Sequence, residues 1–224
     1  MSKLFIVPTP IGNLGDITFR AVDILKTVDV ILCEDTRKTS ILLKHYGISC
    51  PLRSFHKYNE HQSLNSVIRE LLSGKTLALV SDAGTPGISD PGFLIVRECR
   101  KNNIPVECLP GPTSVIPALI QSGFPSDRFC FEGFLPVKKG RTKKINELKE
   151  ECRTMIFFES PHRILKTLHQ FAEVFGTQRQ ASISRELTKI HEETITGTIE
   201  ELIIHFSETP VKGELVIIVS APSP

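Results

Sequence analysis

Residues 81–92, Ser-Asp-Ala-Gly-Thr-Pro-Gly-Ile-Ser-Asp-Pro-Gly, suit neither a helix nor a strand. They hold three glycines and two prolines. Glycine raises the entropy cost of any regular backbone, and proline removes a hydrogen-bond donor. An apolar run, 76–80, comes directly before them and has the character of a buried strand. A plain turn needs one or two such residues. Here five are joined by two Ser-Asp pairs, at the place where open α/β sheets bind ligands. The stretch is therefore expected to be a ligand loop rather than a tight strand-to-helix connection.

The chain around this loop alternates. Apolar runs at 4–7, 28–33, 52–55, 76–80 and 105–109 predict strands. Between them, apolar residues recur at helical spacing, as with Ile17, Ala21, Ile24 and Leu25, and over 64–72 and 93–102. Such alternation predicts a parallel sheet with helices on both faces. A further helix runs to about Gln121 and stops at Ser122-Gly-Phe-Pro125. The domain boundary is placed there, giving an N-terminal α/β domain over 1–122 and a second domain over 123–224. Beyond it, strands are expected at 129–132, 154–158, 180–184, 192–196 and 214–219, with helices at 141–151, 161–175 and 198–206. The short spacing of the last strands favours antiparallel pairing, hence a mixed sheet.

Composition narrows the function classes. With 224 residues and 40% hydrophobic content, the chain can build one large domain or two small ones. No apolar run approaches the ~18 residues of a membrane helix, and the N-terminus lacks the apolar stretch of a signal peptide. A cytoplasmic protein without membrane contact is expected. The six cysteines form no CxxC pair and the seven histidines no HExxH, so no metal is expected and most of the cysteines are expected to be small core residues. Neither GxGxxG nor GxxxxGK[ST] occurs, which disfavours a dehydrogenase or a P-loop nucleotide site.

Several segments carry chemistry. The loops Pro8-Thr-Pro-Ile-Gly-Asn13, 81–92 and Pro110-Gly-Pro112 each follow an expected strand and would converge on the carboxyl edge of a parallel sheet. Asp82 and Asp90 suit a hydroxyl, an amine or a cation better than a phosphate. Glu34-Asp-Thr-Arg37 has the pattern of a helix cap as much as of a site. Glu159-Ser-Pro-His-Arg163 places two basic side chains at a helix start. The segment 184–193 packs six ionisable groups into ten residues. Facing the glycine loops, it would supply cations and a base. Net charge is only +2, but Lys138, Lys139, Arg141, Lys143, Lys144 and Lys149 stand against the single acid Glu147. Cations running into a helix start oppose the helix dipole, and a phosphate backbone is one reason to keep them there.

Ile6-Val-Pro-Thr-Pro-Ile-Gly-Asn-Leu-Gly-Asp-Ile-Thr18, Cys33-Glu-Asp-Thr-Arg37, the 81–92 loop, Pro110-Gly-Pro112, Ser122-Gly-Phe-Pro125, Gly133-Phe-Leu-Pro136, Glu159-Ser-Pro-His-Arg163 and Arg185-Glu-Leu-Thr-Lys189 follow one another in this order. As an ordered set they closely resemble the tetrapyrrole-methylase superfamily (class III S-adenosylmethionine enzymes), in the branch that modifies ribosomal RNA. The resemblance implies a two-domain α/β homodimer with its cofactor between the domains. It implies methyl transfer to the ribose 2′-hydroxyl of a cytidine in small-subunit ribosomal RNA. Carried over by motif, S-adenosylmethionine would be held by Pro8, Gly12, Asp82, Ala83, Gly84, Ile88, Ser89 and Asp90. Relatives that methylate tetrapyrroles have a first loop richer in glycine than 8–12 here.

The chemistry needs alignment of sulfur, methyl and oxygen, and a weakly acidic hydroxyl made nucleophilic. Lys189 is the expected base or alkoxide stabiliser, with Arg185 and Glu186 orienting it. Arg37, Lys138, Lys139, Lys143, Lys144, His162 and Arg163 are the expected RNA contacts. Two rivals remain: a family methyltransferase acting on a tetrapyrrole, and a non-catalytic RNA-binding assembly module.

Overall fold

A computed structural model describes residues 2–209 and 211–222. The chain forms two compact units, 1–113 and 114–224.

The first unit is built on strands β1 (Lys3–Ile6), β2 (Val30–Cys33), β3 (Leu52–Ser54), β4 (Thr76–Leu79) and β5 (Val106–Cys108). They lie in the order β3-β2-β4-β1-β5, every pair parallel. Helices α1 (Phe19–Thr27), α2 (Thr36–His45), α3 (Glu60–Leu72) and α4 (Phe93–Lys101) follow successive strands. Alternation along each strand divides the core in two. Val30 and Leu32 of β2 pack with Val67, Ile68 and Leu71 of α3 and Ile95 and Cys99 of α4. Ile31 and Cys33 pack instead with Ala21 and Leu25 of α1 and Leu43 of α2. Thr18 caps α1 by accepting from the Ala21 amide at 3.1 Å. Helix α3 begins four residues earlier than its apolar spacing indicates, because its first turn is polar and faces solvent.

The second unit holds helix α5 (Val115–Ser122), strand β6 (Phe129–Phe134), helix α6 (Arg141–Glu147), strand β7 (Thr154–Glu159), helix α7 (Ile164–Phe175), strands β8 (Gln180–Arg185) and β9 (Glu193–Thr198), helix α8 (Ile199–Glu208) and strand β10 (Leu215–Val219). The sheet order is β6-β7-β10-β8-β9, with β6 and β7 parallel and the other pairs antiparallel. Strand β10, Leu-Val-Ile-Ile-Val, is buried throughout, as its central place requires. One face packs Ile145 of α6, Leu168 and Phe171 of α7, and Leu202 and Phe206 of α8. Helix α5 contacts β8, β9 and β10. Its Gln121 accepts from Thr194 at 2.7 Å and donates to Glu192 at 3.0 Å. The division of the chain therefore precedes α5, at 113, rather than following it at 122. The turn at 122–125 ends a helix but not a domain.

Three local expectations differ from the structure. Helix α6 stops at Glu147, short of 151. Of the cysteines, Cys33 and Cys99 are buried, whereas Cys50 and Cys130 are half-buried and Cys108 and Cys152 exposed. Arg141, counted in the basic run, is 3% exposed and points into the core. It donates to Gln170 at 2.7 Å, to Thr167 at 2.5 Å and to the Pro136 carbonyl at 3.3 Å.

Arg141 also faces Glu159, itself 2% exposed, at 3.4 Å. That carboxylate is saturated: Arg163 pairs with it at 2.6 Å, Thr167 donates at 2.6 Å and the Ser160 amide at 2.7 Å. The cation at the start of α6 is thus explained by a buried partner, which outweighs its unfavourable place against the helix dipole. Removing one side of a buried pair strands the other, at about 3–5 kcal/mol. Arg141→Ala should accordingly lower the urea midpoint sharply, with the loss falling near the lower end of that range because Arg163 still faces Glu159. A midpoint unchanged from wild type would show that the network is not structural.

Candidate active site

Strands β4, β1 and β5 are neighbours, so their carboxyl-end loops emerge side by side. Thr9 and Gly84 exchange both backbone hydrogen bonds at 2.9 Å, which ties the first loop to the glycine loop. The Thr9 hydroxyl donates to the Ser81 carbonyl at 3.0 Å, and the Ser81 hydroxyl to the Gly84 carbonyl at 2.9 Å. Thr85 donates to the Pro112 carbonyl at 3.1 Å, which joins the third loop. A Cβ on Gly111 would lie 2.8 Å from Pro8 Cβ, and one on Gly84 3.3 Å from Ile11. Gly84 also has φ +80°, a conformation that favours glycine. The loops meet with no room for side chains at their seam.

Of the expected cofactor residues, Pro8 and Gly84 are buried within this seam, whereas Gly12, Ala83, Ile88 and Ser89 are exposed around it. Ser89 adopts φ 63°, a strained conformation for serine. It lies between Gly87 and Gly92, both at positive φ.

Asp82 and Asp90 stand on the same loop, and the structure adds Glu34, from the segment whose pattern fits a helix cap as much as a site. Glu34 follows β2 and so reaches the same sheet edge. Burial pushes its carboxyl up, and the Asp82 charge pushes further. Asp90 is raised to about 7, first by burial and then by Glu34 and Asp82. Asp82 is engaged: it accepts from the Asp35 amide at 3.1 Å and pairs with Lys38 at 2.8 Å. Asp90 accepts no hydrogen bond among the described residues. Such a trio favours a cation, and its raised carboxyls would release their protons as one bound. Asp35, for its part, is the cap of α2, accepting from the Arg37 amide at 2.9 Å. The Arg37 guanidinium pairs back to it at 2.7 Å and holds its carboxyl below the usual carboxylate range. The Arg37 side chain is nonetheless 88% exposed.

S-adenosylmethionine is implied by the resemblance, and the first unit's residues fit it. The glycines of the seam pack the loops on Pro8 and Ile11, and the raised carboxyls of Glu34 and Asp90 suit its sulfonium and amino group.

In the second unit, the segment after β8 is a tight turn with Glu186 at φ 50° and Thr188 at φ 67°. Lys189 Nζ lies 2.8 Å from Glu186 and 3.0 Å from Glu214. Burial works against its charge, but these two carboxylates win and carry Lys189 above the ordinary lysine value. Glu186 is lowered, chiefly by its bond to Lys189. A lysine in that state is a cation and a poor proton acceptor at neutral pH. Arg185 pairs with Glu193 at 3.2 Å, while its buried Nε has no partner among the described residues. Glu214, unremarked in the sequence, comes to Lys189 from the start of β10, and only the β8–β10 pairing places it there.

The basic positions divide. Arg163 is turned onto Glu159 and also donates to the Leu135 carbonyl at 3.3 Å. Lys144 pairs with Glu132 at 2.6 Å, and Lys143 faces Glu147 at 3.9 Å. Lys138, Lys139 and His162 are exposed.

With this geometry in hand, the sequence matches the family of Tetrapyrrole (Corrin/Porphyrin) Methylases over residues 3–203. It is 47% identical over 220 residues to the Ribosomal RNA small subunit methyltransferase I of Thermotoga maritima, covering 98% of this chain and 99% of that one. It is 49% identical to the protein of the same name from Escherichia coli O157:H7, covering 97% of this chain and 77% of that one. Among solved structures, a cobalamin biosynthetic enzyme, cobalt precorrin-4 methyltransferase, aligns with TM-score 0.72 at 17% identity over 97% of this chain and 94% of that chain. Uroporphyrin-III-C-methyltransferase from Thermus thermophilus aligns with TM-score 0.66 at 18% identity, over 97% and 94%. These two likenesses are of fold.

Asp90 generates a pH test. Its folded-state value lies above the ordinary 3.8. A raised carboxyl stabilises the fold below its unfolded value, and that contribution is lost as pH rises through the folded value. Stability should therefore fall between about pH 4 and about pH 7. Asp90→Asn lacks this titration. Thermal unfolding should show the variant more stable than wild type at pH 8, with the gap closing towards pH 4. A gap independent of pH would mean that Asp90 titrates normally.

Proposed function

The chain belongs to the tetrapyrrole (corrin/porphyrin) methylase family, and from that premise we propose that it methylates small-subunit ribosomal RNA with S-adenosylmethionine, at the ribose 2′-hydroxyl of a cytidine. One observation carries the choice of substrate. Full-length identity of 47–49% joins the chain to relatives named for ribosomal RNA, against 17–18% to the tetrapyrrole enzymes that share its fold. The seam of three loops argues against a module that only binds RNA, since such a module has no use for a close-packed ligand loop at a sheet edge. No helix of the described residues is long and apolar enough to cross a membrane. A cytoplasmic homodimer acting within the ribosomal subunit is the setting that fits this chemistry.

S-adenosylmethionine, when bound, supplies a methyl group already activated on a sulfonium. The chain has three tasks. Pro8, Gly12, Ala83, Gly84, Ile88 and Ser89 position the donor, a matter of alignment rather than of bond chemistry. Asp82 and Asp90 provide negative charge towards its cationic groups. Lys189, kept cationic by Glu186 and Glu214, stabilises the alkoxide that forms as the hydroxyl attacks. Of the two roles expected for Lys189, its raised value favours this one over the general base. Arg185 and Glu186 orient the turn. Lys138, Lys139, His162 and Arg37 meet the phosphate backbone, with Lys143 and Lys144 available by exchange of their carboxylate partners. Arg163 has a smaller share, since its first partner is Glu159.

The deciding experiment is transfer of a labelled methyl group to small ribosomal subunits that lack the modification, followed by mapping of the labelled nucleotide. Label on the 2′-oxygen of one cytidine is expected. Label on a base, on protein or nowhere would sink the assignment, and label entering a tetrapyrrole instead would move it to the other branch of the family. Lys189→Met should cut kcat by about 10²–10³, the usual cost of one oxyanion-stabilising group, with little change in KM. Turnover within a factor of about two of wild type, in a folded variant, would remove Lys189 from the chemistry.

A further inference from the structure

The turn that follows β3 has no part in the proposed methyl transfer itself. Tyr58 lies in it with 80% of its surface exposed. A single exposed aromatic needs no explanation by itself. The construction beneath this one does. Phe55 is fully buried and its amide donates to the Cys33 carbonyl at 2.8 Å, which anchors the turn to β2. Asn59 then staples the turn shut. It accepts from the His56 amide at 2.8 Å and donates to the Ser54 carbonyl at 3.1 Å. The Tyr58 amide donates to His56 Nδ1 at 3.3 Å. The ring is therefore held out from a fixed base, with the Lys57 ammonium 4.9 Å from its centroid and the His56 ring edge-on at 6.0 Å.

Its place in the sheet matters as much. Strands β2 and β3 pair in parallel with Cys33 opposite Ser54, so this turn and Glu34–Arg37 leave the same edge side by side. His56 is near enough to Glu34 to act on its charge. Beside the acidic trio, the two segments carry Lys38, Arg37, His56 and Lys57. A polyanion is repelled by Glu34, Asp82 and Asp90 and attracted by these basic side chains, which favours approach along them. An exposed ring among those cations takes a base, because every base has a face that stacks, whatever its identity.

We propose that Tyr58 is a stacking platform for an unpaired base of the RNA substrate, with Lys57 and Arg37 holding the adjoining phosphates, so that the strand is positioned along the carboxyl edge of the parallel sheet. This rests on the reading of the chain as an RNA methyltransferase. Tyr58 is a positioning residue: it binds alike before and during the reaction, so its loss should appear in KM and not in kcat.

The test uses four substitutions and two measurements. Methylation of unmodified small subunits should show KM raised about tenfold by Tyr58→Ala, within the range for one lost base stack, at nearly unchanged kcat and unchanged thermal stability. Tyr58→Leu keeps apolar bulk without a π-face and should behave like alanine, whereas Tyr58→Phe and Tyr58→Trp should restore KM. The chain contains no tryptophan, so Tyr58→Trp also supplies a single fluorophore. Protein-free small-subunit RNA should quench it, and duplex RNA should not. If wild type methylates the RNA but KM is the same for alanine, leucine and tyrosine, the platform is refuted and RNA methylation stands. If KM rises but free RNA leaves the tryptophan unquenched, Tyr58 contacts a ribosomal protein and the platform is again refuted. If wild type transfers no methyl group to ribosomal RNA at all, the functional reading fails and takes the platform with it.

Discussion

The exchange of two backbone hydrogen bonds between Thr9 and Gly84 is the constraint on which the first unit's site depends. It lies beyond the ends of β1 and β4, where the sheet would otherwise fray into separate loops. Once it is made, Thr85 reaches Pro112, Gly111 abuts Pro8, and Gly84 has to lie against Ile11. A Cβ on Gly111 would lie too close to Pro8, and Gly84 is held to glycine by its φ of +80°. The abundance of glycine and proline in 8–13, 81–92 and 110–112 follows from that one seam. Close approach needs glycine, and a loop that must not move gains from proline.

Charge is arranged to opposite ends in the two units. At the parallel sheet's edge, burial and mutual repulsion make Glu34 and Asp90 hold their protons more tightly, beside an Asp82 already paired with Lys38, so that a further cation would be welcome. At the turn after β8, two carboxylates converge on one lysine and keep it charged. The proposed methyl transfer would use the two differently, the first towards a cationic donor and the second towards a developing negative oxygen. The buried Glu159 belongs to neither. It is satisfied wholly by Arg141, Arg163, Thr167 and the Ser160 amide, and it stabilises the fold by leaving none of those groups unpaired.

Much of this was legible before any coordinates. The strand and helix segments, the parallel first sheet, the mixed second sheet and the convergence of three loops follow from periodicity and from the punctuation of glycine and proline. What escaped is consistently a matter of partners. Arg141 and Lys144 sit in one basic run, yet Arg141 ends beneath α7 on a buried carboxylate and Lys144 on Glu132 across the β6 surface. Glu34 looks like part of a cap, and its neighbour Asp35 is one, but Glu34 joins Asp82 and Asp90 from a strand two sheet positions away from β1. Helix α5 closes the first run of alternation in sequence while its Gln121 binds β9 in space.

The sequence by itself determined where the backbone could be regular and where it could not. Apolar period and breaker residues act locally, over a few residues, and local physics is written in local composition. It also determined the family, because eight short motifs in one order leave little choice. Only the tertiary structure decided which charges are available. An ionisable group's state depends on what lies within a few ångströms of it, and those neighbours come from distant segments through strand order and register. That is why Lys189 could be named from the chain, but its character as a cation rather than a base had to wait for Glu214.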